Sequence, residues 1–421
     1  MTSTFGWVDF AEQDREQMLD VVNLFRLRGT RDELGLGTVR AAFSNYLFPG
    51  ITTIQTRARY FFFVPWVYNS LDGWLQRGRR DREHIARRVR RRETKLILAL
   101  LGGEDETGII GRGSRGELQR MPSSIYWAGL QTFGIRLYPG SISQYHRRLS
   151  VRSHRHSDGR RTGSILASAS HLTPEEGSKL DWRPDLPAPP EDLFNEVSLR
   201  LTTEEAEYLR DQIRLSARSS LIAALLIHEP DDLEVPYFWD LPIIQNLPPD
   251  LAGTVQHAER FSLVMHGAQL LYNLMLAEKR PQKASQDYRA LLLEWAGQID
   301  SMWSELNDWR GDLHRFWGCS AFRQNRIRTR TKTFVERWLD CLFDGTSAAE
   351  IIGNGKARSL IANREISLKG WKRARLESDE ALARWPGESG TSRLGYRWST
   401  GRAILQDIRR GLERKEESVN A

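Results

Sequence analysis

The chain has 421 residues, of which 40% are hydrophobic and 27% are charged. This composition and a length sufficient for roughly two or three domains exclude a wholly disordered, collagen-like or fibrous chain. The net charge of +7 permits a polyanionic partner such as nucleic acid without requiring one.

The two cysteines, Cys319 and Cys341, have no C-x-x-C spacing. This excludes the usual zinc-ribbon, iron–sulfur and secreted disulfide patterns and favours a reducing compartment. Residues 1–10 lack the basic and apolar regions of a signal peptide, and every apolar run is shorter than the roughly 18 residues that a membrane span needs. We therefore expect a cytoplasmic protein without a membrane segment, a metal site or a cofactor.

Capping boxes predict three helix starts, because an N-cap oxygen and an acid three residues later satisfy each other's backbone donors. The pairs are Asp9 with Glu12, Thr30 with Glu33, and Thr202 with Glu205. Residues 56–75 form a further, very aromatic candidate helix. We expect Pro65 to kink or split it, because proline lacks the amide donor.

The densest charge run is residues 76–95, with nine arginines and one lysine against three acids. Read as a helix, this segment and its continuation place an apolar stripe on one side and a basic ridge on the other. The stripe consists of Ile85, Val89, Leu96 and Leu100. A basic ridge suits a phosphate backbone, but it is also typical of a solvated helix face or of one paired with acids elsewhere.

A second basic run covers residues 146–161, with six arginines and three histidines against one aspartate. Before it, residues 123–133 predict a helix stopped by Gly134, and Ser141 is placed to cap another. This order resembles a helix-turn-helix unit with a polar second helix. The connector is longer than usual for that motif, so the pattern favours two consecutive packed helices followed by a basic loop.

Long helical patterns continue in residues 251–279, 288–308 and 329–343. Strict apolar alternation is scarce, so the sequence predicts a mainly α fold of two packed helical regions with little sheet. Four prolines between residues 181 and 191 indicate a semi-rigid connector. We therefore expect an N-terminal region over residues 1–180 that contains both basic runs, and a C-terminal region over residues 192–421.

Catalytic and nucleotide-binding motifs are incomplete. Gly111 to Gly116 spell G-x-G-x-x-G without the strand and helix that such a loop requires, and Gly353 to Lys356 lack two positions of a P-loop. The sequence therefore favours a non-enzymatic role. The fourteen tryptophans indicate aromatic cores. Exposed aromatics next to arginines could instead stack single-stranded bases.

Several segments together resemble a family of bacterial proteins that carry a domain of unknown function. The resemblance rests on segments spread over nearly the whole chain: residues 5–10, 30–35 (TRDELG), 56–60 (TRARY), 64–66 (VPW), 368–370 (LKG) and 396–398 (YRW). It implies an accessory component encoded beside helicases and phospholipase-D-like nucleases in anti-phage defence islands. It implies no catalytic residues.

These observations predict a non-catalytic, nucleic-acid-associated accessory subunit of a bacterial defence or DNA-processing system, with DNA expected ahead of RNA. The predicted contact residues are Arg79, Arg80, Arg87, Arg88, Arg91, Lys95, Arg147, Arg148, Arg152, Arg155, Arg160 and Arg161. One alternative is a scaffold that binds a helicase or nuclease subunit through its aromatic and basic surfaces. Another is a metal-dependent nuclease whose site is gathered from distant residues.

Overall fold

A computed structural model describes residues 32–71, 84–103, 107–112, 118, 120–158, 181–280 and 284–419. Fifteen α-helices lie within these ranges. In chain order they are α1 (Gly37–Leu47), α2 (Tyr60–Asn69), α3 (Ile85–Leu101), α4 (Pro122–Thr132), α5 (Ile142–Asp158), α6 (Thr203–Ser216), α7 (Leu221–His228), α8 (Pro249–Lys279), α9 (Ala284–Ser301), α10 (Trp303–Gly311), α11 (Leu313–Gly318), α12 (Thr329–Leu342), α13 (Gly355–Lys369), α14 (Asp379–Ala383) and α15 (Trp398–Val419).

The mainly α prediction is confirmed. Over the described ranges there is no β-strand, and extended pairing is limited to one antiparallel bridge between Arg136 and Trp182. None of the helices in these ranges combines the length and the apolar character needed to cross a bilayer.

Most predicted helices that fall within the described residues form close to their predicted bounds. The capping box of Thr202 and Glu205 opens α6, and the segments predicted over 251–279 and 329–343 become α8 and α12. Pro65 does not split its helix: it lies inside α2, where burial of the surrounding aromatic side chains compensates for one missing backbone hydrogen bond. The predicted helix start at Thr30 was wrong, because residues 32–36 are not helical and α1 begins at Gly37. The helix predicted over 288–308 is divided between α9 and α10. The predicted helix start at Asp9 lies outside the described residues.

The chain forms two compact units, each built from two stretches of sequence. The first contains the described residues up to Leu47 together with Val235–Tyr396, and the second contains Phe48–Glu234 together with the segment from Arg397 onward. The units therefore divide the chain at other places than the predicted connector. Residues 181–191 lie inside the second unit, where the Trp66 indole donates to Pro187 O at 2.8 Å.

The first unit is organised around α8, the longest helix, whose middle is buried from Phe261 to Ala277 with few interruptions. Tryptophans of two neighbouring helices donate to its carbonyls: Trp295 of α9 to Leu263 O at 2.8 Å and Trp338 of α12 to Val264 O at 3.0 Å. These bonds satisfy the indole N–H groups while the rings fill the core. They fix α9 and α12 against α8.

The second unit is organised around α2, in which every residue from Tyr60 to Tyr68 is buried. Two ion pairs bind the start of this helix to other parts of the unit: Arg57 to Asp407 of α15 at 3.0 Å and Arg59 to Glu205 of α6 at 2.7 Å. All four side chains are largely buried. Since removing one partner of such a pair leaves an uncompensated charge, these pairs strongly constrain the packing of the helices.

A stability prediction follows from the close approach of α8 and α9. A methyl group at Gly267 of α8 would lie 2.1 Å from a ring carbon of Trp295, so Gly267→Ala requires the two helices to move apart. We expect it to lower the free energy of unfolding by about 1–3 kcal/mol, the usual cost of overpacking.

Gly253, on the same helix, is the matched control, because a methyl group there meets no atom within 4 Å. Gly253→Ala should raise the free energy of unfolding by about 0.5–1 kcal/mol through its higher helix propensity. Urea unfolding followed by circular dichroism measures both. Equal effects of the two substitutions would contradict the close packing.

Candidate nucleic-acid interface

A cavity of about 890 Å³ in the first unit is lined by five arginines and no acidic residue. The arginines are Arg326, Arg328, Arg330, Arg337 and Arg364. The remaining lining residues are three apolar side chains, Ile327, Phe334 and Leu360, and four neutral polar ones, Thr329, Thr333, Asn363 and Ser367. We refer to these twelve residues as the arginine cavity.

The local sequence explains how these side chains converge. Before α12 the chain is extended, and Ile327 is buried while Arg326 and Arg328 are exposed, as the alternation of an extended segment requires. Within α12 the cavity residues are 330, 333, 334 and 337, and within α13 they are 360, 363, 364 and 367. Both sets follow the i, i+3, i+4, i+7 spacing of one helix face. The cavity is therefore the groove between two packed helices and the segment that enters the first.

Arg364 forms the inner wall of the cavity and is only 6% exposed. Its guanidinium donates to Leu34 O at 2.8 Å, Gly35 O at 3.2 Å, Arg330 O at 3.2 Å and the Thr331 hydroxyl at 3.0 Å. It also lies 5.0 Å from the centre of the Phe334 ring. All four acceptors are neutral oxygens, so they satisfy the donors of Arg364 without cancelling its charge.

The other four cavity arginines are exposed, and none of them forms an ion pair with any residue that the structure describes. The first turn of α12 contains no acid, and no side chain caps its N-terminus. Its backbone N–H groups and the positive end of its dipole therefore add to the charge of the arginines. The lining supplies positive charge and hydrogen-bond donors.

Sequence reasoning missed this site. A local signal exists, because Arg326, Arg328 and Arg330 alternate across the start of a correctly predicted helix. It is weaker than the two long basic runs, and Arg364 is separated from it by more than 30 residues of sequence. Only the packing of α13 against α12 brings the five arginines together.

The predicted ridge on α3 is present in the second unit. Its apolar stripe of Ile85, Val89, Leu96 and Leu100 is buried, as predicted. Arg87, Arg91 and Lys95 are exposed, and Arg88 is half-buried. Arg87 and Lys95 have no charged partner within the described ranges, whereas Arg88 and Arg91 each take part in interactions of the fold.

The second predicted run lies partly on α5, which packs against α3. Ser141 caps α5 as expected, accepting from Gln144 N at 3.2 Å. Arg147 is exposed, but Arg148 forms an ion pair with Asp181 at 3.1 Å and covers the Tyr138 ring. Arg148 is thus engaged within the unit, because Asp181 lies beside α5 and balances its charge.

The remaining predicted contact residues have no described side chain. Arg152 and Arg155 lie on α5, but the side chains of this helix are described only up to Val151. Arg79, Arg80, Arg160 and Arg161 lie outside the described residues. The structure therefore places the described part of the two runs on adjacent helices, where Arg87, Arg91, Lys95 and Arg147 are exposed. Of these four cations, Arg91 also takes part in interactions of the fold.

A buried carboxyl group lies beneath the basic ridge. Glu93 of α3 is 2% exposed and accepts from Ser123 N at 2.6 Å. Burial raises the pKa of Glu93 to about 7, although the hydrogen bonds from Ser123 and the charge of Arg90 oppose the shift. Burial also lowers the pKa of His146, whose Nε2 shares a hydrogen bond with the Tyr68 hydroxyl, to about 4. Burial beneath the ridge thus favours the neutral forms of both Glu93 and His146.

The shift of Glu93 predicts a pH-dependent stability. A carboxyl group whose pKa is higher in the folded than in the unfolded protein binds more protons when folded, so its stabilising effect is complete below pH 4.5 and is lost as the pH rises toward 7. Glu93→Gln keeps the acceptor for Ser123 N and carries no charge. We expect it to unfold like the wild type at pH 4 and to be more stable at pH 8 by on the order of 1–3 kcal/mol.

Urea unfolding at the two pH values measures this difference directly. Burial raises the pKa of Tyr68 well above this pH range, and His146 is present in both proteins, so neither group accounts for a difference between them. A variant that is less stable than the wild type at pH 8 would mean that Glu93 is charged and needed as an anion.

The tryptophans follow the predicted core role with one exception. Of the twelve that the structure describes, nine are buried, and Trp303 and Trp317 are half-buried. Trp371 is 65% exposed. It follows directly on Gly370, which ends α13 with a φ of +75°, and it is followed by the exposed Lys372 and Arg373.

Two of the segments that carry the family resemblance meet beside the arginine cavity. Glu33, from the segment 30–35, forms an ion pair with Lys369, from the segment 368–370. Glu33 also forms an ion pair with Arg375. Burial opposes ionisation of Glu33, but these two cations outweigh it and lower its pKa. The backbone carbonyls of Leu34 and Gly35, also from the segment 30–35, accept hydrogen bonds from Arg364. These motif residues thus hold the wall of the cavity in place.

No group of three His, Cys, Asp or Glu side chains in the described part of the chain is arranged to hold a metal ion.

The chain belongs to the family of unknown function DUF6361, whose family model matches residues 2–410. No curated protein and no solved structure matches the sequence.

Proposed function

We propose that this member of the family is a non-catalytic, nucleic-acid-associated accessory subunit of a bacterial defence or DNA-processing system. The observation that carries the proposal is the arginine cavity. Five guanidinium groups converge there without an acidic residue in the lining, and clustered cations that no acid neutralises repel one another unless an anion binds between them.

The composition of the cavity favours phosphate groups as that anion. Arginine binds phosphate oxygens through two parallel hydrogen bonds, and serine, threonine and asparagine are also frequent phosphate contacts in nucleic-acid complexes. The cavity offers all four residue types. Backbone contacts of this kind bind without reading the base sequence, which suits an accessory subunit.

The exposed cations of α3 and α5 supply a second surface of the same sign. Arg87, Lys95 and Arg147 are exposed and belong to helices that pack against one another. We propose that they add phosphate contacts to those of the cavity, with DNA expected ahead of RNA.

The biological setting is part of the proposal. The resemblance noted above implies neighbours of the helicase and phospholipase-D-like nuclease classes, and such enzymes act on nucleic acids in the cytoplasm. In this setting the protein would hold a strand for a catalytic partner.

The cavity predicts a salt-dependent affinity. Replacing Arg328, Arg330 and Arg337 by alanine removes three phosphate contacts, so the slope of log affinity against log salt should become shallower by up to about 3. Arg364 is left intact because its buried hydrogen bonds maintain the fold. Fluorescence anisotropy with labelled single-stranded and duplex DNA over a series of salt concentrations measures the slope.

A matched control removes three exposed arginines of the same unit that do not line the cavity. These are Arg289, Arg315 and Arg384, which pair with Glu278, Asp312 and Glu380. Their replacement by alanine changes the net charge equally and should alter the slope much less. Failure of the wild type to bind either DNA at low salt would refute the proposal, and so would equal losses in both triple variants.

The second surface is tested by its own triple variant, in which Arg87, Lys95 and Arg147 become alanine. We expect weaker binding and a slope that is again shallower, by about 1 for each cation that contacts a phosphate. The same anisotropy series provides the measurement. An affinity equal to that of the wild type at every salt concentration would exclude α3 and α5 from the interface.

A further inference from the structure

We infer that the arginine cavity binds a single-stranded polynucleotide, one of whose bases stacks on Trp371. This inference rests on the proposed function and specifies the form of the ligand. It is drawn from the shape of the cavity and from the position of the one exposed tryptophan among the twelve described.

The shape of the cavity favours a single strand. Its volume of about 890 Å³ is that of a small-molecule pocket, and Arg364 contributes to it from a buried position. A rigid duplex presents its phosphates on a convex surface, which can reach the rim of such a groove but not its wall. A flexible single strand can place a phosphate next to Arg364.

Trp371 lies close to the cavity along the chain. The face of α13 that lines the cavity runs through positions 360, 363, 364 and 367. The helix ends at Lys369, and Trp371 follows Ser367 by four residues. The Cα atoms of Ser367 and Trp371 are therefore separated by at most about 15 Å, the length of four extended residues. This distance is within reach of one short oligonucleotide.

The exposure of Trp371 requires an explanation that core packing does not supply. With 65% of its surface exposed it contributes little to the core, and exposed Lys372 and Arg373 follow it. An aromatic ring among cations is the usual platform for a base of a single strand, since every base has a face that stacks and a phosphate that pairs with the cations. Bases inside a duplex are already stacked and do not offer such a face.

The experiment compares Trp371→Ala and Trp371→Phe with the wild type by fluorescence anisotropy. The probes are labelled oligo(dT), labelled oligo(U) and a labelled duplex of equal length. We expect Trp371→Ala to weaken oligo(dT) binding about tenfold, Trp371→Phe to weaken it less, and both to leave duplex binding within about twofold of the wild type. Leu293→Ala is the control, because Leu293 is also exposed, at 52%, and lies on α9, which does not line the cavity.

A second readout follows stacking itself. An oligonucleotide that contains 2-aminopurine loses fluorescence when its base stacks on an aromatic ring. Its emission should change on binding to the wild type and much less on binding to Trp371→Ala at saturating protein.

The outcomes separate this inference from the proposed function. If the cavity triple variant binds oligo(dT) more weakly while Trp371→Ala binds it like the wild type, the stacking inference is overturned and the proposed function stands. A wild type that prefers the duplex overturns the inference in the same way. If the wild type binds none of the three probes, the proposed function fails together with the inference.

Discussion

The buried guanidinium of Arg364 is the interaction on which the candidate site depends. It connects three parts of the first unit, because Arg364 lies on α13 and its acceptors belong to residues 34 and 35 and to the first turn of α12. Burying a charge is costly unless its donors are satisfied. Here neutral oxygens satisfy them, and burial lowers the pKa of Arg364 while the more distant charge of Asp32 opposes that shift.

This arrangement has an electrostatic consequence. A carboxylate partner would have fixed Arg364 equally well, but it would have neutralised the wall of the cavity. Carbonyl and hydroxyl partners fix the side chain of Arg364 without neutralising its positive charge. Four exposed arginines and the uncapped N-terminus of α12 add to the positive potential of the cavity. The fold thus maintains a cluster of like charges, and we propose that a bound polyanion relieves their mutual repulsion. Buried pairs elsewhere, such as Arg59 with Glu205, neutralise their charges in the ordinary way.

The sequence allowed much of the helical framework to be predicted, because helix starts and stripes are local properties. The capping box at Thr202 and the stripe from Ile85 to Leu100 are examples. Whether an individual arginine is paired or exposed depends on its tertiary partners, so it could not be predicted from local sequence. Arg148 pairs with Asp181, more than 30 residues away, whereas Arg147 beside it is exposed.

The arginine cavity could not be predicted from the sequence for the same reason, because it depends on tertiary packing. Its helix α12 was predicted almost to the residue, yet the cavity itself requires α13 and the segment around Gly35 to be packed against that helix. The two-unit organisation is also a tertiary property, since Leu47 and Val235 belong to one unit although nearly 190 residues separate them. The prolines between residues 181 and 191 indicate a semi-rigid connector, and in this protein that segment lies within the second unit.

Arginine footprinting tests directly whether the arginines of the cavity contact a bound polynucleotide. Phenylglyoxal modifies accessible guanidinium groups, and mass spectrometry of the digested protein locates each modified arginine. We predict that Arg326, Arg328, Arg330 and Arg337 react in the free protein and are protected when oligo(dT) is bound, while Arg289, Arg315 and Arg384 react equally in both states. If these four arginines react equally in the free and the bound protein, the polynucleotide does not bind in the arginine cavity.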